Sequence, residues 1–470
     1  MYKLIFFIGI FWLFFSFNSF AMQGGDSFES YRQKIGPHRL LKKEGDRWVP
    51  IDLEKLPHER TPINILGIDG GGVKGIGPAV ILEDIETRTG KRICELFDLI
   101  AGTSTGGILS LGLVKKESSK NPHKASAMVA FYRSLASNIF PPTRDACRVF
   151  NVVTKGYVYA AMPFEKALKE VLGEYKLSDL QTPTLVTAVD IRTAQVKIFR
   201  SYKGQTTKNR DFFLRDIARA TSAANPFFPT VHISHPTGYD LSLLENPEET
   251  LKENILYVKS IADGRLFYTV MNPVEKRVNG SIDIKKIKGY KHDPTNPLDL
   301  KKLKPFLSCI LDEVEEGHID KPPVLSVLDG GYAANNPSVI ALAEAFDLFG
   351  KRPVNLISIG TGRPDYLERE DPAQVGTLRQ FLTLINILFE TQSQAVDHNI
   401  ERLSHHSSVP INYIRMQPHV PAEFMDLEGA HNIATLEDIA RKWCKSGIGK
   451  SLLNNVQEAL MASSSMRSHL

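Results

Sequence analysis

Between Ile63 and Leu113 the chain runs twice through strand, glycine-rich turn and helix, and this constrains its fold more than any other feature. Ile63–Ile68 is apolar and ends in Asp69-Gly70-Gly71-Gly72; Ile76, Val80, Ile81 and Ile85 then recur at helical spacing up to Gly90. Leu96–Ala101 is a second apolar run, followed by Gly102-Thr103-Ser104-Thr105-Gly106-Gly107 and by Ile108, Leu109, Leu111 and Leu113. Parallel strands need a crossover, and a helix of this length supplies one. The pattern predicts an α/β fold with a mainly parallel central sheet flanked by helices. Further strands are expected over Thr184–Val189, Val196–Phe199, Val324–Leu328 and Asn355–Ile359. Helices are expected over Leu214–Thr221 and Leu342–Phe349, and the tail from about Leu378 is expected to be mostly helical up to a frayed end at Ser463–Ser465.

Composition narrows the class. The 470 residues are 42% hydrophobic and 23% charged, which excludes wholesale disorder, collagen repeats and a multi-span membrane protein. A net charge of +4 is too weak to point to nucleic acid. The four Cys form no C-x-x-C pair, so a zinc site is not expected; they read as buried small residues, with one disulfide left open.

Residues 1–21 read as a signal peptide: Lys3, an apolar run from Leu4 to Phe15, then small residues at Ser19 and Ala21. The run is shorter than the ~20 residues needed to span a bilayer. Export to the periplasm or the medium is the expectation. Residues 22–60 read as a polar N-terminal arm, 61–440 as the main domain and 441–470 as a helical tail. Within the main domain the alternation lapses over 235–323, which reads as an inserted segment. It carries Lys285, Lys286, Lys288, Lys291, Lys301, Lys302 and Lys304, with five acidic residues between Asp312 and Asp320. The plain reading is a solvated charged surface; the functional one is a lid or a contact with anionic lipid headgroups.

Three turns can carry chemistry. Gly102-Thr103-Ser104-Thr105-Gly106 matches G-x-S-x-G, in which a serine stands on a tight strand-to-helix turn with its hydroxyl exposed. Gly70, Gly72 and Gly75 form G-x-G-x-x-G. Such a loop can cradle a pyrophosphate, but the acidic residue a nucleotide site wants is not at a strand end, since Asp98 falls inside the second apolar run. Alternatively the N–H groups of Gly70, Gly71 and Gly72 form an oxyanion hole, with Lys74 adding a cation nearby. Asp329-Gly330-Gly331 puts a carboxylate at a strand end, where it can act as general base. A Ser-Asp-His triad is also open, through Ser104, Asp329 and His431.

Taken in order, these turns resemble the patatin-like phospholipases. Ala218–Ala224 with Phe227-Phe228-Pro229, and Leu356–Gly362, resemble the same family. The resemblance covers roughly residues 62–231 and 324–440. It implies a three-layer α/β fold, Ser104 as nucleophile, Asp329 as its base, Gly70, Gly71 and Gly72 as oxyanion hole, and no catalytic His. Two departures stand out. Lys74 occupies a place where the family usually has Arg, and the stretch before Asp329 is long.

The function implied is a lipid acyl hydrolase of phospholipase A or lysophospholipase type, working through an acyl-enzyme with no metal or organic cofactor. Its partners would be a phospholipid or other glycerolipid and, peripherally, a membrane surface. A general serine esterase using His431 is the rival enzyme. A lipid-binding or storage protein with incidental motifs is the rival outside catalysis.

Overall fold

A computed structural model describes residues 62–115, 124–141, 145–191, 193–205, 210–234, 324–364 and 377–468, together with five short strands outside them. The expected signal peptide and the Lys285–Lys304 cluster lie outside the described residues. Strands β1 (Leu41–Glu44) and β2 (Arg47–Pro50) pair with each other ahead of the main domain.

The central sheet contains β3 (Ile63–Ile68), β4 (Leu99–Thr103), β5 (Thr184–Asp190), β6 (Gln195–Arg200) and β7 (Val231–Ser234). Within the segment 235–323, β8 (Leu256–Ser260), β9 (Leu266–Met271) and β10 (Val278–Asp283) form a separate antiparallel sheet. The central sheet is completed by β11 (Val324–Asp329), β12 (Val354–Ile359) and β13 (Ile411–Met416). Its order is β13-β12-β3-β4-β5-β11-β7, with β6 against β5. The five strands from β13 to β5 run parallel, while β6, β11 and β7 make antiparallel pairs.

Side chains alternate across this sheet, and both faces are buried, as a parallel sheet requires. Leu66, Ile68, Ile100, Ile357 and Ile359 face one apolar cluster. That cluster is closed by α1 (Ile76–Thr89), α2 (Thr105–Val114), α3 (Ala125–Ile139), α4 (Asp145–Lys155), α5 (Ala161–Leu172) and α6 (Leu214–Thr221). Ile63, Ile65, Leu99, Val354 and Leu356 face a second cluster, closed by α7 (Ser338–Phe349) and the end of α8 (Thr377–His406). The C-terminal helices α9 (Ile433–Lys445) and α10 (Gly447–Ser468) return to the first face. The result is the helix–sheet–helix arrangement expected from the sequence.

Two local expectations are corrected. The second strand begins at Leu99, not Leu96, because Ile93–Leu96 is one helical turn, closed where the Arg92 N–H donates to Glu95 Oε2 at 2.8 Å. Asp98 therefore precedes the strand, and its carboxylate accepts the Asn64 N–H. The tail is mostly helical, with β13 laid beside β12 after α8, but it is not frayed at Ser463: α10 runs on to Ser468, and the buried Ser463 hydroxyl donates to Asn64 Oδ1 at 3.1 Å.

Candidate active site

Strand β5 brings Ser104 and Asp329 together. Its first half pairs with β4, and Thr103 stands opposite Thr187. On the next rung Ala188 stands opposite Asp329, the last residue of β11, which arrives from the other direction. Two strands thus meet end to end along one edge of β5, one delivering the residue before the serine and the other the aspartate. The Thr103 and Thr187 hydroxyls lie 2.6 Å apart across the join, and Thr103 Oγ1 also donates to the Ala334 carbonyl.

Ser104 turns the chain from β4 into α2 with φ 53° and ψ −121°, a conformation rarely adopted by side-chain-bearing residues. Gly106 permits the turn, since a Cβ there would lie 2.2 Å from the Ile68 carbonyl oxygen. Gly102, the other flanking glycine of the elbow, is packed against the Gly106 carbonyl.

Ser104 Oγ donates to Asp329 Oδ2 at 2.7 Å, and Asp329 Oδ1 accepts the Gly331 N–H at 2.7 Å. Gly330 is packed against Thr187. Asp329 is 1% exposed. Burial pushes its pKa up to about 7, against the opposing pull of the Ser104 hydroxyl, the Gly331 N–H and the Arg219 charge. Arg219 is itself buried, donates to the Pro229 carbonyl and stacks over Phe164 and Phe228. Burial lowers its pKa to about 10.

The glycine loop divides. Gly70 is not an open donor, because its N–H goes to the Asn335 carbonyl at 3.0 Å. Gly71 and Gly72 line the cavity beside Ser104. Gly72 has φ +60°, and a Cβ there would sit 2.0 Å from the Leu427 carbonyl oxygen. The Val73 N–H donates to that same carbonyl, and Lys74 Nζ donates to the Met425 carbonyl at 2.9 Å. Lys74 thus ties the loop to the 425–427 segment; it is not among the residues lining the cavity. Gly75 leads into α1 with Thr105 and Tyr132 packed against it.

The cavity encloses about 60 Å³, and its walls include Ile108, Tyr132, Phe140, Phe164, Phe228 and Phe389. Phe228 packs against both Phe140 and Phe164, with ring centroids 5.4 and 5.1 Å apart. No histidine lines it among the described residues. His431 sits exposed on the turn Ala430–Asn432, and Ser104 reaches Asp329 directly, so the structure does not assemble the His431 triad.

Two elements of the site were not legible as such. Thr221 accepts the Ser104 N–H through Oγ1 at 2.7 Å. Arg415, on the unforeseen strand β13, holds Asp69 in a bidentate pair at 2.9 and 2.6 Å. Among the described residues no cluster of three or more His, Cys, Asp or Glu is placed to hold a metal, and no helix is long and apolar enough to cross a membrane.

Comparison with known proteins points in one direction. Residues 66–252 match the family model described as patatin-like phospholipase. Patatin-like protein 1 of Arabidopsis thaliana is 33% identical over 196 residues, which cover 40% of this chain and 47% of that protein. Patatin-2-Kuras 3 of Solanum tuberosum is 30% identical over 212 residues, covering 43% of this chain and 53% of its own length. The chain thus spans about half the length of the curated relatives it matches. The solved structure of human GIVD cytosolic phospholipase A2 covers 87% of this chain and 61% of its own, at 10% identity and a TM-score of 0.36. The matched family stretch holds the glycine loop and the elbow; Asp329 lies beyond it and joins them through the β5 rungs.

Proposed function

From the premise that the chain carries a patatin-like phospholipase domain, we propose that it is a lipid acyl hydrolase working through a Ser104–Asp329 dyad. The observation that carries this reading is the 2.7 Å hydrogen bond from Ser104 to Asp329 in an apolar cavity with no lining histidine among the described residues.

In this reading Ser104 Oγ attacks the ester carbonyl while its proton passes to Asp329. A carboxylate with a pKa near 7 is a far better proton acceptor than an exposed aspartate, and burial is what raises it. The carbonyl oxygen becomes negative beside the Gly71 and Gly72 N–H groups and the N-terminus of α2. Collapse of the tetrahedral intermediate breaks the ester C–O bond, and the alcohol leaves with the proton held by Asp329. Water then attacks the acyl-enzyme, giving its proton to Asp329, and the fatty acid departs as Ser104 recovers its own. The aromatic walls suit an acyl chain. The cavity volume leaves room beside Ser104 for the ester carbonyl and the attacking water.

Fatty acid release from mixed phospholipid vesicles tests this. Wild type should release product while Ser104→Ala and Asp329→Asn stay silent. Substantial release by Ser104→Ala would overturn the mechanism, and vesicle binding without product would favour a lipid-binding protein. From the Lys3, Leu4–Phe15 and Ser19–Ala21 pattern we further propose that the enzyme is exported and meets its substrate at a membrane surface. N-terminal sequencing of the secreted protein should then begin at Met22.

A further inference from the structure

Thr221 closes α6, and it is fully buried. Three hydrogen bonds converge on it and on Ala223, two residues on. Thr221 Oγ1 accepts the Ser104 N–H at 2.7 Å, the Thr221 carbonyl accepts the Gly330 N–H at 3.1 Å, and the Ala223 carbonyl accepts the Asp329 N–H at 3.1 Å. The serine elbow and the aspartate strand are therefore tied to one short segment that belongs to neither. The two carbonyl contacts are open to any residue. The hydroxyl contact requires Thr or Ser. Thr221 is not among the cavity-lining residues, so it has no direct role toward substrate.

The contact falls where the backbone is least comfortable. Ser104 holds a positive φ, and its N–H precedes the first turn of α2, which has no acceptor for it. A buried N–H without a partner is costly, because its lost hydration is not replaced. Thr221 Oγ1 removes that cost in the same elbow conformation that aims Ser104 Oγ at Asp329. The same bond takes the Ser104 N–H away from the substrate and leaves the oxyanion to the Gly71–Gly72 side of the cavity.

We infer that the Thr221 hydroxyl is a positioning group that sets the Ser104 elbow in register with the Asp329 strand. The inference rests on the proposed dyad. Its test compares Thr221→Val, which keeps the shape and loses the acceptor, with Thr221→Ser, which keeps the acceptor. On a soluble short-chain ester, Thr221→Val should lose about 10- to 100-fold in kcat with KM within about twofold, as expected when a reacting atom shifts by a fraction of an ångström. The acid limb of its pH profile should move upward, because the Ser104 hydrogen bond helps hold the Asp329 pKa down. Thr221→Ser should stay within about threefold of wild type, and Thr221→Ala, also lacking the hydroxyl, should fail as Thr221→Val does. A Thr221→Val enzyme within twofold of wild type in kcat, or a Thr221→Ser enzyme as impaired as Thr221→Val, overturns the inference. If wild type hydrolyses no ester and takes up no fluorophosphonate at Ser104, the proposed function fails instead. Hydrogen exchange at the Ser104 amide then decides the clamp by itself: Thr221→Val must speed it about tenfold or more over Thr221→Ser, and equal rates overturn the clamp.

Discussion

Asp69 and Asp329 occupy the same local sequence, Asp-Gly-Gly at the end of a buried strand, and the fold treats them in opposite ways. Burial raises both carboxyl pKa values. At Asp69 the chief opposing influence is a guanidinium in direct bidentate contact, that of Arg415, which also donates to Ser358 and pairs with Asp397 at 3.1 Å. At Asp329 the opposing influences are a serine hydroxyl and a backbone N–H, with the Arg219 charge last. Arg219 spends itself on Pro229, Glu165 and two aromatic faces. One carboxylate is neutralised and becomes part of the scaffold. The other is left with a partner that can give it a proton. A buried acid is a base only where the fold withholds a cation from it.

That contrast can be broken from either side. The largest effect is expected at the dyad: Ser104→Ala and Asp329→Asn should each lower ester turnover by about 10⁴-fold or more while the protein stays folded, checked by turnover and circular dichroism together. The next is at the scaffold. Arg415→Met should leave Asp69 buried without its cation and cost about 3–5 kcal/mol of stability by denaturant unfolding. Adding Asp69→Asn should recover part of that loss, and no recovery would mean that the pair is not the coupled unit described.

Asp329 should show the reverse. Its folded pKa, about 7, lies above its ordinary 3.8, so between those values the folded state holds a proton that the unfolded state has lost. Stability then falls as pH rises through that window and levels off above 7. Asp329→Asn does not titrate, so it should be more stable than wild type by about 2–4 kcal/mol at pH 8 and nearly equal at pH 4. Wild-type kcat/KM should rise about tenfold per pH unit up to a midpoint near 7, where the base becomes ionised. The smallest effect belongs to His431→Ala, which should keep turnover within twofold.

Much of this was legible in the sequence because the signals are local. The strand Ile63–Ile68, the helix closed by Gly90, the elbow at Ser104 and the strand end at Asp329 stand where apolar runs and glycines put them. What escaped is pairing between distant segments. Ile411–Met416 carries Asn412 and Arg415 among apolar residues and follows a 30-residue helix, so nothing nearby announces a strand; its place is fixed by pairing with β12. With that strand went the cation that separates Asp69 from Asp329. The oxyanion assignment over-reached for a related reason. Gly70, Gly71 and Gly72 are indistinguishable in sequence, and only the Asn335 carbonyl, contributed from beyond Asp329, removes Gly70 from the set. Thr221 lay inside a recognised motif, yet its role depends on a contact 117 positions away.

The backbone of Ser104 has a consequence for descent. At φ 53° glycine is the comfortable residue, so Ser104→Gly would relieve on the order of 1 kcal/mol of backbone strain, set against the lost hydrogen bond to Asp329, while ending catalysis. Asp329→Asn removes a buried charge to the same end. Each is one substitution, and each removes a cost the fold carries for the active arrangement: backbone strain at Ser104, a buried charge at Asp329. A lineage of this architecture released from selection for hydrolysis would therefore have short routes to silence, whereas recovery would have to restore one of those costs.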